Sequence, residues 1–110
     1  MTNPTGFTWV DPTTNVDGTP IAAGEVTGYT IGIRSTTATG SVAGTYPIMA
    51  QVSGATATNE LLTALGTVLK PDTYAAAIQT AGPVPSAFTA EVTFTIAPAQ
   101  PSPPTGFTVA

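Results

Sequence analysis

The chain contains no cysteine and no histidine. The first absence excludes a disulfide framework and any thiolate metal centre. The second removes the side chain that titrates nearest neutral pH and the commonest metal ligand. Charge is scarce as well: two basic residues, Arg34 and Lys70, stand against six carboxylates, for a net charge of −4 over 110 residues. Two cations displace almost no counterions from a phosphate backbone, so nucleic acid is not an expected partner. No eighteen consecutive residues are apolar, so no membrane partner is expected either. The opening "MTNPTGFTWV" has no basic stretch leading into an apolar one. With Met1 as a native start, the chain is expected to carry no cleaved export signal.

These absences bear on chemistry. Acid–base and nucleophilic schemes would rest on isolated carboxylates and hydroxyls with no imidazole to activate them. No G-x-S-x-G motif occurs, and no pair of carboxylates has a spacing that argues for glycosidase work. Asp11, Asp17 and Glu25 share one segment and offer the oxygen ligands a hard cation takes, but their spacing matches no calcium loop, and "DGTP" is turn chemistry. The expectation is a protein with no catalytic residue, no cofactor and no metal.

What is present is alternation. "GYTIGIR" sets Tyr29, Ile31 and Ile33 on one face and Thr30, Gly32 and Arg34 on the other, the period of a half-buried strand. "YPIMAQV" repeats the pattern with Tyr46, Ile48, Ala50 and Val52 inward, and its Pro47 suits a sheet edge. "TYAAAIQT" sends Tyr74, Ala76 and Ile78 inward; "FTAEVTFTI" sends Phe88, Ala90, Val92, Phe94 and Ile96 inward and Glu91 outward. "FTWV" near the start adds a fifth strand. The segments between them are rich in Gly, Pro, Asn and Asp, which together with the strand spacing predicts an all-β antiparallel sandwich. "NELLTALGTVL" places Leu61, Leu62, Leu65, Val68 and Leu69 at helical spacing behind Asn59, but the flanking strands favour a strand over about 60–65. An outward Arg34 and an outward Glu91 make a cross-strand surface pair conceivable, of little energetic weight. The "TAGPVPSA" loop reads as a tip stiffened by its prolines.

Two stretches resemble the fibronectin type III family of the bacterial and phage kind. "FTWVDPTTNVDGTPIAAGEVTGYTI" resembles that family's second strand, its W-x-x-P-x-x-x-x-D-G-T-P-I loop and its third strand. "LKPDTYAAAIQTAG" resembles its L-x-P-x-T-x-Y corner and sixth strand. The resemblance covers about residues 7–96 and implies an immunoglobulin-like sandwich over 1–97. In it Trp9 is the core indole and Tyr74 the corner tyrosine, its hydroxyl bonding back near Leu69. Together with the alternating positions above, the expected core comprises Trp9, Tyr29, Ile31, Ile33, Leu69, Tyr74, Ile78, Val92 and Phe94. A family member opens with a first strand about ten residues long; here only "MTNPTG" precedes "FTW", so that strand is missing.

Residues 98–110 read differently. "PAQPSPP" favours polyproline II, a semi-rigid spacer that cannot enter a ladder as a central strand. Beyond it Thr105, Gly106, Phe107, Thr108 and Val109 are β-prone, and "PTGFT" at 104–108 repeats "PTGFT" at 4–8. In tandem arrays of the family such a stretch begins the next domain's first strand. A missing first strand leaves an open sheet edge, and this arm is the candidate to fill it, in a neighbouring copy or by folding back.

The resemblance and the low charge together lead to an expected structural role among protein neighbours, as part of an oligomeric assembly. The partners would be other copies of the chain or a major capsid or tail protein. The place would be the surface of a virion assembled in a host cytoplasm. The alternative is one module of a secreted bacterial tandem protein, serving outside the cell as spacer or carbohydrate or adhesion module. Deleting residues 101–110 is expected to weaken assembly or lower thermal stability, measured by sedimentation and circular dichroism; identical behaviour of the shortened chain would remove the arm from both.

Overall fold

Alternation in residues 28–35 produces the strand around which the other elements are arranged. The computed structural model describes residues 3–109. In chain order its strands are β1 (Gly6–Thr8), β2 (Gly28–Ser35), β3 (Ile48–Ser53), β4 (Asn59–Leu61), β5 (Asp72–Ala81) and β6 (Val92–Ile96), with one 3-10 turn at Leu62–Ala64. They form two antiparallel sheets, one of two strands in the order β1-β4 and one of four in the order β3-β2-β5-β6. The result is an all-β sandwich.

The register aligns the apolar rows. Ile31 lies opposite Ala50 on β3 and Ile78 on β5, and Ile33 opposite Ile48 and Ala76. Ile31, Ile33, Ala50, Leu65, Tyr74 and Ala76 form the contiguous core, with Phe7, Trp9, Leu62, Leu69, Ile78 and Phe94 packed on it at partial exposure. Tyr29 is also buried, against Trp9 at a ring separation of 5.3 Å. The Tyr74 hydroxyl donates to the Lys70 carbonyl at 2.6 Å, closing the turn that leads into β5. The expected acceptor region, near Leu69, lies one residue away. Pro47 stands just before β3, which is an edge of the larger sheet.

Four expectations are corrected. The strand expected over 60–65 stops at Leu61, and a 3-10 turn follows. That turn brings Leu65 into the core at 8% exposure, which a continued strand through a segment with leucines at helical spacing would not do.

The second and third corrections concern Tyr46 and Phe88, expected to point inward. Tyr46 is buried, but its ring covers the outer face of β2 at Gly32, where a Cβ would collide with it. Pro47 separates Tyr46 from the paired part of β3, so the alternation of β3 does not extend to it. Phe88 lies beside Tyr46 at a ring separation of 5.0 Å. Since Ala76 pairs with Val92, uninterrupted pairing would set Ile78 opposite Ala90, but the Thr89 amide donates to the Ile78 carbonyl at 2.9 Å. One extra residue is absorbed between 89 and 92, as in a β-bulge, and it inverts which side chains face the core.

The fourth correction is Val92, expected in the core and 60% exposed. It points between the sheets, but β6 is the edge of the larger sheet, and the two-stranded sheet is too narrow to cover it.

Ile33 is completely buried at the centre of the core. Ile33→Ala is expected to destabilise the fold by about 3 kcal/mol in urea denaturation, whereas a fully exposed loop residue, Val16→Ala, should shift it by less than about 0.5 kcal/mol.

Candidate interaction site: an unfilled sheet edge and an exposed arm

Two strands facing four leave part of the larger sheet bare. Along β1 the Leu62 amide donates to the Thr5 carbonyl at 2.9 Å and the Trp9 amide to the Thr58 carbonyl at 3.0 Å. Thr5, Phe7 and Trp9 therefore turn their main chain toward β4, and by alternation Gly6 and Thr8 turn theirs outward. No strand lies beyond β1 among the described residues, so this edge offers free N–H and C=O groups.

Beside that edge runs an open apolar cleft of about 120 Å³. Phe7, Thr8 and Trp9 make one wall, Ile31, Ala76, Ala77 and Ile78 the floor, and Thr89 and Val92 the far rim. The Phe7 ring meets Phe94 edge-on at 5.5 Å, and Phe94 stacks on Tyr74 at 5.4 Å. Two buried polar side-chain atoms lack partners among the described residues, Trp9 Nε1 and Asp11 Oδ1, both on the segment leaving β1. Nearby, the Tyr29 hydroxyl donates to the Ala55 carbonyl at 3.0 Å. Burial, with the Asp11 carboxylate adding to it, pushes this phenol up to about 12.

The arm starts at a fixed point. The Ala97 amide donates to Asn3 Oδ1 at 2.9 Å and Asn3 Nδ2 to the Ala97 carbonyl at 3.4 Å, tying its root beside the segment that enters β1. From there it extends away without joining a sheet. The molecule measures 76 × 30 × 20 Å and its radius of gyration is 18.7 Å, against about 13 Å for a compact chain of this size. Thr105, Gly106, Phe107, Thr108 and Val109 are all exposed, Phe107 at 93% and Val109 at 98%. The arm is therefore not folded back on its own edge; Ala110 lies outside the described residues.

The outer face of the larger sheet holds the ion pair that the sequence suggested. Arg34 Nε and Nη2 donate to Glu91 at 2.9 and 2.7 Å, a two-pronged pair that reaches across β5. Ala75, opposite Arg34, leaves room for the guanidinium to cross. Tyr46 donates its hydroxyl to Glu91 at 2.9 Å, and Arg34 Nη1 donates to Ser41 at 2.9 Å. The pair is mostly covered, at 14% and 20% side-chain exposure, with Tyr46, which bonds Glu91, beside it and Phe88 packed on the Tyr46 ring. Arg34, helped by the Tyr46 hydroxyl and opposed by burial, holds the Glu91 carboxyl down at about 2. Neither aromatic neighbour was legible as such, since both were expected on the inner face.

Two of the three acidic side chains between residues 11 and 25 are engaged within that segment. Asp17 accepts from the Thr19 amide and hydroxyl at 3.0 and 2.6 Å, and Glu25 accepts from Asn15 and from the Ala22 amide. Among the described residues no three acidic side chains are grouped to hold a metal ion, and no helix is long and apolar enough to cross a membrane. The β5–β6 tip is tied down through Ser86, whose hydroxyl accepts from the Thr80 amide at 2.9 Å. No family model matches the chain, and no match was found among curated proteins or solved structures.

A depressed carboxyl pKa contributes stability that is complete above its unfolded value and is lost as pH falls through the folded one. For Glu91 that window runs from 4.5 down to about 2. Glu91→Gln is expected to lower the Tm near neutral pH and to flatten its fall across that window. An unchanged slope in thermal melts followed by circular dichroism would show that the pair does not contribute.

Proposed function

We propose that the chain is a non-catalytic structural protein with a fibronectin type III-like domain whose first-strand position beside β1 is open among the described residues, and that it serves as a virion component, a capsid decoration or tail protein, among protein neighbours. The observation that carries this reading is the combination of an open β1 edge over an apolar cleft with an exposed apolar arm on the same chain. A sheet edge and apolar patch left free on a protein with so little charge to keep copies apart favour association. The strand order β3-β2-β5-β6 facing β1-β4 and the Tyr74–Lys70 bond support the reading as such a domain.

One observation favours a second reading, a module of a secreted tandem protein: "PTGFT" recurs after a proline spacer at 104–108, as the start of a following unit would. A carbohydrate-binding face finds less support, because Trp9, Tyr29, Tyr46 and Tyr74 each pair with another ring.

Mass spectrometry of particles purified from the producing culture tests the two. A virion role predicts this chain as a separate polypeptide in many copies per particle; recovery only as part of a longer secreted polypeptide would replace it with the tandem module.

A further inference from the structure

We propose that the cleft between β1 and β6 is an acceptor for residues 105–109 of a second copy, which add to the open edge of β1 as a further strand. The inference rests on the assembly reading above and names its partner and contact.

The two surfaces match in chemistry. The β1 edge presents unpaired main-chain groups at Gly6 and Thr8, which a β-strand satisfies whatever its sequence. The cleft beside it is lined by Phe7, Trp9, Ile31, Ile78 and Val92 and contains no charged side chain. The arm presents Phe107 and Val109, two residues apart and thus on one face of an extended chain, with Thr108 between them. Both are almost fully exposed, as is most of Val92 on the acceptor rim. Docking covers all three without burying a charge.

Geometry selects another copy over the arm's own. Asn3 holds the arm's root at Ala97, three residues before β1. The spacer 98–104 spans about 22 Å as polyproline II, whereas β1 covers about 10 Å. In its own copy, the stretch lying along β1 would be the spacer, whose prolines at 98, 101, 103 and 104 carry no N–H for a ladder. The strand-like residues would already have passed the edge. A second copy is under no such restriction. Because donor and acceptor are different surfaces, the contact is head-to-tail, and successive copies form a chain or close into a ring.

Sedimentation velocity and native mass spectrometry over a concentration series test this with three variants. Phe107→Asp with Val109→Asp disables the donor at exposed positions. Val92→Asp blocks the acceptor rim, and Thr8→Pro independently removes an outward N–H without touching the β4 ladder. Wild type is expected to associate, and each variant alone to associate about tenfold more weakly or less. An equimolar mixture of the donor variant with either acceptor variant should give one 1:1 dimer, because one working arm and one working cleft remain. Association unchanged in the donor variant would overturn the inference while leaving assembly through another face standing. A monomeric wild type whose Tm falls in the donor variant would place the arm in its own copy. A monomeric wild type with no effect of any variant would overturn the inference and leave only assembly with a different protein.

Discussion

Residues 31–33 of β2 support the molecule on two faces at once. Ile31 and Ile33 anchor the core between the sheets, while Gly32 accepts the Tyr46 ring on the opposite side, where any side chain would collide. That outer ring packs against Phe88 and bonds Glu91 of the Arg34–Glu91 pair, which is largely covered. A strand with a side chain in place of Gly32 would keep the inner core and lose the outer cluster. Burial on both faces makes β2 the most enclosed strand in the molecule, and β3 and β5 take their register from it.

The second organising fact is the inequality of the sheets. Four strands present more apolar surface than two can cover, and the shortfall appears at Val92, at the Phe7–Trp9 wall and at the outward main chain of β1. Core packing and the unfilled edge are thus one property seen from two sides. The stability of the domain and its capacity to associate both depend on what lies beside β1.

Much of this was legible in the residues. The alternation in 28–35, 48–53 and 72–81 marks three strands because side chains of successive residues leave a sheet on opposite sides. Pro47 marks an edge, and the proline spacer follows the last strand. What failed, failed where one residue changes the phase. The extra residue between 89 and 92 turns Phe88 outward, and the 3-10 turn at 62–64 redirects Leu65 inward. A period carries no information about its own interruption; that depends on which backbone groups find partners across the sheet.

The amino-acid sequence by itself determined the class of the molecule. Its alternating apolar residues and its turn residues favour antiparallel sheets, and its lack of cysteine and histidine excludes disulfides and thiolate or imidazole ligands. The tertiary structure decided how those strands share their surfaces: that Tyr46 joins an ion pair on the outer face, that Asp17 and Glu25 are engaged in their own loop, and that an apolar cleft stays open beside β1. The reason is physical. Strand formation depends on neighbours along the chain, whereas burial and pairing depend on residues tens of positions apart, and only the folded chain brings Arg34 to Glu91 or leaves Phe107 without a partner.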